Sequence, residues 1–231
     1  MVPAPKASPK TTSAKITPAE LTSALRARIM NGQLVPNQRL IEVDIAEEFG
    51  ASRGNVRLAL AELTMEGLVD RVQNRGAKVR GVTPEEAVEI TEIRSAIESM
   101  CTAKAAKRVT PEQAEELRGI GKRLSDAVEA GDLEAYAAEN SALHNTLIQI
   151  AGMPIAAETI ARLRSQSVRQ QFQRARLLSD QNESLSQHLS IIDAVCAGDA
   201  ARARAAMEEH LSSVSTVIAH TGITPVSIPR N

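Results

Sequence analysis

Leu21, Leu25 and Ile29 recur every fourth residue among polar neighbours, and that spacing predicts a helix ending near Asn31-Gly32. A short helix from about Glu42 to Phe49 follows, then Gly50, then a helix from about Arg53 to Glu66 that buries Val56, Leu60 and Leu63. Next come two stretches of strand character, Leu68 to Gln73 and Ala77 to Val82, joined by Asn74-Arg75-Gly76 as a tight hairpin. From Thr83 onward the period is helical throughout. Six helices are expected, at roughly 84–107, 111–130, 132–151, 154–176, 181–197 and 199–219. The breaks fall at Thr110-Pro111, Gly131-Asp132, Gly152-Met153-Pro154, Ser179-Asp180 and Gly198-Asp199. Connections this short make neighbours antiparallel and give a bundle.

Three helix starts carry one signature: Thr17-Pro18-Ala19-Glu20, Thr83-Pro84-Glu85-Glu86 and Thr110-Pro111-Glu112-Gln113. Each puts a hydroxyl at the N-cap, proline at the first helical position and Glu or Gln where it closes a capping box. The chain therefore reads as mainly α: an N-terminal winged helix-turn-helix over 16–82 and an antiparallel all-α bundle over 83–220. Tails at 1–15 and 221–231 lack periodicity and are expected to be mobile.

Composition narrows the core. Apolar residues make up 43% of the 231, yet Phe49, Tyr136 and Phe172 are the only aromatics, so Ala, Leu, Ile and Val must do the packing. No apolar run approaches the roughly 18 residues of a membrane span, and Met1 to Lys15 lacks a secretion signal, so a soluble cytoplasmic protein is expected. Cys101 and Cys196 read as small buried apolar residues without a disulfide. The net charge of −1 hides an asymmetry: residues 1–81 carry 12 Lys plus Arg against 8 Asp plus Glu, and residues 82–231 carry 15 against 20. The first part is the candidate for a polyanion.

A helix, a Gly-containing turn and a second helix is the arrangement that sets the second helix into a DNA major groove. The turn here is Phe49-Gly50-Ala51-Ser52, and the next helix opens Arg53-Gly54-Asn55-Val56-Arg57. Arg53 and Arg57 lie one turn apart and are expected to project together, away from the apolar set, toward phosphate or guanine. Asn55 reads either as an adenine contact or as a helix-start residue. In the hairpin, Arg75 and Gly76 are placed to enter a minor groove, and Lys78 and Arg80 alternate on one face to meet phosphates.

Asn140 and His144 are four apart and share a helix face. His188 lies ten residues before Gly198 and His210 twelve after it, so a helical hairpin brings them to one height, about 15 to 18 Å from the turn. These residues can converge on a metal. Taken one by one, each also reads as an ordinary surface or hydrogen-bonded residue. Three imidazoles suit a divalent ion, Zn foremost, with Ni, Co or Mn also fitting.

The stretch Gly50-Ala51-Ser52-Arg53-Gly54-Asn55-Val56-Arg57-Leu58-Ala59-Leu60, with Leu63, Glu66-Gly67-Leu68-Val69 and Arg75-Gly76-Ala77-Lys78-Val79, resembles the winged-helix domain of GntR-family bacterial transcription regulators. The family's Thr-Pro after the Ser-Arg pair is replaced by Gly54-Asn55, and its Glu after the second arginine by Leu58. Residues 84–219 resemble the all-helical effector domain of the FadR-like (FCD-type) subgroup, whose metal-binding members use an Asp and three His; Asn140 stands in the Asp position. The resemblance further implies that Arg94 meets an acidic effector, although its spacing from Glu98 equally reads as a helix-surface ion pair. It implies a homodimeric regulator, of repressor type, that binds double-stranded operator DNA and responds to a small carboxylate.

Other classes fit less of the chain. A metal-dependent hydrolase or oxygenase would use the His cluster to activate water, with Glu139 as the adjoining carboxylate, but leaves the basic helix-turn-helix unexplained. An architectural protein would use the bundle only to dimerise. No GxSxG, Cys-His pairing or phosphate loop points to other catalysis, so no enzyme is expected. Residues 159–179 hold Arg162, Arg164, Arg169, Arg174 and Arg176 and no acid, which reads as a solvated helix face.

Overall fold

The computed structural model describes residues 16–72, 76–165 and 181–220. The chain divides into two compact units, Met1–Val79 and Arg80–Asn231.

The first unit runs α1 (Pro18–Met30), β1 (Arg39–Leu40), α2 (Glu42–Phe49), α3 (Arg53–Met65), β2 (Val69–Val72) and β3 (Gly76–Val79). Thr17 closes the expected capping box with Glu20, which satisfies two backbone donors that the first turn leaves over. Leu21, Leu25 and Ile29 of α1 pack into one cluster with Val56, Ala59, Leu60 and Leu63 of α3. Each of these Leu, Ile and Val side chains, fully buried, stabilises the fold by about 1.5–3 kcal/mol. Two ion pairs brace this core: Arg26 grips both carboxylate oxygens of Glu66, and Arg28 reaches Glu48 while lying over the Phe49 ring. Gly50 ends α2 in the left-handed conformation (φ 61°), which only glycine adopts cheaply, and so turns the chain into α3.

The hairpin strands pair antiparallel in the order β1-β3-β2, with Asp70 opposite Lys78. The third member, β1, was not anticipated; a strand of two residues is too short for a period to show. The expected turn at Asn74-Arg75 lies outside the described residues.

The described elements of the second unit are all helices: α4 (Pro84–Ala106), α5 (Pro111–Ala130), α6 (Leu133–Ala151), α7 (Pro154–Ser165), α8 (Gln181–Cys196) and α9 (Ala200–His220). The remainder of the expected 154–176 helix, with Arg169, Arg174, Arg176 and the break at Ser179-Asp180, lies outside them. Helix α4 packs against α6, α7, α8 and α9. The main core gathers Leu117, Ile120, Leu124, Leu143, Leu147, Ile191, Met207 and Leu211 from α5, α6, α8 and α9. Small residues let helices approach closely: a Cβ on Gly121 would meet Leu189 and Ile192 at 3.2 and 3.1 Å.

Thr110 closes its capping box, but Thr83 does not complete one. Thr83 accepts from the Glu86 amide, while the Glu86 carboxylate is taken by Arg80. Cys101 is buried as expected; Cys196 is only half-buried, its thiol directed at the Ala114 carbonyl at 3.6 Å. No described helix is long and apolar enough to cross a membrane.

Candidate functional site

His144 on α6, His188 on α8 and His210 on α9 meet inside the bundle, and all three are buried. Their rings stand 4.4 Å apart (His188–His210), 5.4 Å (His144–His210) and 6.0 Å (His144–His188) between centroids. One ring nitrogen from each lies within 4.8 Å of the other two. The fourth histidine, His220, is exposed and bonded to its own helix at Thr216.

Each imidazole is oriented through Nδ1 by an oxygen. His144 Nδ1 is 2.7 Å from Glu98 Oε2, and His210 Nδ1 is 3.0 Å from the Gln187 amide oxygen. His188 Nδ1 is 3.0 Å from the Tyr136 hydroxyl, which donates its own proton to Ser184 Oγ at 2.9 Å and so accepts from the ring. Three acceptors thus place the proton on Nδ1 in all three rings and turn the Nε2 lone pair toward the common centre. Outer partners of this kind fix tautomer and ring orientation in metal sites. Burial lowers the His144 pKa to about 4, against the pull of Glu98 in the other direction, so the ring is neutral at neutral pH and suited to coordination.

Glu98 is the residue that sequence reasoning missed. Its carboxylate, 1% exposed, takes Arg94 Nε at 2.8 Å, Arg164 at 2.7 Å and His144 at 2.7 Å. Burial opposes its charge, but the guanidinium of Arg94, the His144 hydrogen bond and the guanidinium of Arg164 outweigh that, so the carboxyl ionises well below the usual range. The Arg94–Glu98 pair anticipated as a surface contact therefore exists, but it is buried and leads through Glu98 to a histidine. Arg164 likewise departs from the solvated face expected for it, because α7 packs on α4 and brings it to Glu98 and to Asn145.

Asn140 lies one turn before His144, and its Oδ1 is buried without a hydrogen bond among the described residues. A buried amide oxygen left so costs about 1–3 kcal/mol, which a ligand at that atom would relieve. Glu139 pairs through Oε1 with Arg123 on α5 at 2.9 Å, while its Oε2 is likewise buried without a hydrogen bond among the described residues. A tetrahedral zinc ion at about 2.0–2.1 Å from each nitrogen needs them about 3.4 Å apart. The three nitrogens, within 4.8 Å of one another, stand in the range from which a divalent ion could gather them, and three imidazoles with an amide oxygen are a donor set that fits such an ion.

In the first unit, the Ser52 hydroxyl caps α3 by accepting from the Asn55 amide at 3.1 Å. The Asn55 side chain donates to the Ile16 carbonyl at 2.9 Å, which ties it to the chain before α1. Arg53 is exposed. Arg57 keeps 65% of its side chain exposed, but its Nε donates to Glu42 on α2 at 2.9 Å, so the two arginines are not equivalent. Arg71 adds a bond to the Arg57 carbonyl at 3.2 Å.

Residues 18–79 match the family model for bacterial regulatory proteins of the gntR family, and residues 89–213 match that of the FCD domain. The chain belongs to the GntR family. The probable D-xylose utilization operon transcriptional repressor of Paenarthrobacter nicotinovorans is 29% identical over 91% of this chain and 94% of its own length. The transcriptional repressor RspR of Escherichia coli is 28% identical over 83% and 84%. Among solved structures, E. coli McbR/YncC has a TM-score of 0.73 at 24% identity, covering 88% of this chain and 97% of that one. A GntR regulator from a Rhodococcus species has a TM-score of 0.70 at 22% identity, covering 87% and 96%. The fold is that of GntR regulators, with a DNA-binding helix-turn-helix and a helical second domain.

In this GntR wing, Gly76 opens β3 at φ 85°, so the backbone itself calls for glycine there. Lys78 donates to Asn37 Oδ1 at 3.2 Å and stands 3.8 Å from Asp70. Arg80 pairs with Glu86 rather than alternating with Lys78 on an open face. Arg75 lies outside the described residues.

Proposed function

We propose that this GntR regulator is a homodimeric repressor whose FCD domain binds a divalent metal, zinc foremost, at His144, His188, His210 and Asn140, and senses a small carboxylate there. The single observation that carries the reading is the shared orientation of the three imidazoles, each held through Nδ1 by a side-chain oxygen. Bound zinc would supply a Lewis-acidic centre for an anionic oxygen. Asn140 in place of an acid leaves the site one charge more positive, which favours an anion on the ion. Arg94 and Arg164, already gathered at Glu98 beside His144, supply charge-assisted donors for the same effector.

In the first unit, Arg53 and Arg57 are the arginines proposed to meet operator DNA, with Lys78, Gly76 and Arg75 of the wing along the backbone. Asn55 contributes by fixing the start of α3 through Ile16. Residues 16–82 form the DNA-binding domain and 83–220 the effector and dimerisation domain. Two copies present two α3 helices to two half-sites. An effector that prefers one helix packing changes their spacing and shifts the population bound to DNA. A hydrolytic role is disfavoured because the carboxylate nearest the cluster, Glu98, is held ionised between two guanidiniums rather than poised as a base.

The test is fluorescence anisotropy of the full-length protein on the duplex upstream of its own gene, after chelation, after zinc, and with zinc plus a panel of organic and sugar acids. One acid is expected to change duplex affinity by about 5- to 150-fold with zinc present. His144→Ala should abolish the response. Duplex binding that neither zinc nor any acid alters overturns the sensor reading.

A further inference from the structure

Helix α3 presents an uncharged line to solvent. At about 100° per residue, its buried residues Val56, Ala59, Leu60 and Leu63 point one way, and Gly54, Leu58, Ala61 and Met65 fall on the opposite side. Leu58 is 60% exposed and Met65 73%. Arg53 and Arg57 lie along one side of this line, with Arg57 drawn to Glu42, and Glu62 lies along the other. The centre of the outward face is therefore apolar, with cations at its edge.

Gly54 supplies an independent observation. Glycine is a poor helix former, and a Cβ there would meet only Ser52 Oγ at an ordinary 3.7 Å. Among the described residues nothing requires the missing Cβ, and the position lies one turn before Leu58 on the same face.

We infer that Leu58 reads the 5-methyl group of a thymine in the major groove, with Gly54 letting the helix backbone come close to that groove. The inference rests on the proposed DNA-binding role of α3. In the major groove, thymine alone presents a methyl group, and a side chain without donors or acceptors discriminates through that group. Duplex DNA suits this face better than a protein partner because guanidiniums run along one side of the apolar line and the line begins at a helix N-terminus, both of which attract phosphate.

The experiment uses the full-length protein and the duplex it selects from random sequence. Deoxyuridine replaces each thymine in turn, which deletes one methyl and nothing else. At one symmetry-related position the wild type should bind about fourfold more weakly, the worth of one buried methyl. Leu58→Ala should lose about tenfold on the intact duplex and become insensitive to deoxyuridine at that position alone. Gly54→Ala should melt no lower than wild type while binding the duplex more weakly, which separates a contact from a folding defect. Equal deoxyuridine profiles for wild type and Leu58→Ala, or unchanged duplex affinity in both variants, overturn the inference. So does a change confined to oligomeric state, which would assign the face to protein contact. Failure of the wild type to select any duplex overturns the DNA-binding reading, and this inference with it.

Discussion

Replacing Glu98 with Gln keeps its size and removes its charge. The wild-type carboxylate is 1% exposed and serves two guanidiniums whose side chains are only 11% and 15% exposed, Arg94 and Arg164. Removing one partner from a buried ion pair leaves uncompensated charge and costs about 3–5 kcal/mol. The Gln oxygen still accepts one hydrogen bond, so about 3 kcal/mol is expected. For a protein of this size 1 kcal/mol moves Tm by about 2–4 °C, so Glu98→Gln should melt roughly 10 °C lower in thermal unfolding followed by circular dichroism. Zinc affinity should fall about 10- to 100-fold as His144 loses its charged acceptor. The combination Arg94→Met, Glu98→Leu, Arg164→Met, which removes all three charges together, should recover most of the stability and none of the zinc affinity. A Glu98→Gln protein that melts within about 2 °C of wild type and binds zinc as tightly would refute the buried network.

Three further outcomes follow from the geometry. Tyr136→Phe and Gln187→Leu each release the Nδ1 of one histidine, and each should weaken zinc binding about 10-fold or more in competition titrations while leaving the far-ultraviolet spectrum unchanged. Arg57→Ala removes an exposed ion pair, so stability should change by less than about 0.5 kcal/mol in urea unfolding while duplex affinity and its salt dependence both fall. Ser52→Ala removes the N-cap of α3 and should cost about 1 kcal/mol in the same assay; no loss would mean that the Asn55–Ile16 bond holds the helix start unaided.

The helix starts were legible because Thr-Pro-x-Glu/Gln specifies a local backbone geometry, and α1, α4 and α5 begin where it places them. Among these three starts the one departure, the capping box at Thr83, arose because Arg80 competes for the Glu86 carboxylate. The shared height of His188 and His210 was legible too, since counting residues from Gly198 amounts to measuring distance along two antiparallel helices. Glu98 was not. It sits on α4, which exposes Ile93 and Met100 and buries Thr91, Ser99 and Thr102, so no apolar stripe marks its inward side. Its spacing from Arg94 gave the pair but not the burial. Arg164 was hidden for the same reason, because only the packing of α7 on α4 separates it from the exposed Arg162. On α3 the four-residue spacing of Arg53 and Arg57 was plain in sequence, but the pull of Glu42 on Arg57 is a tertiary effect.

The most direct test of the account is the metal content of full-length protein, stripped by chelator, reloaded with zinc, freed of excess ion and measured by elemental mass spectrometry. About one zinc per wild-type chain is predicted, with loss of binding in the His144→Ala, His188→Ala and His210→Ala variants. Wild-type protein without bound zinc, or equal zinc in all four proteins, would contradict it.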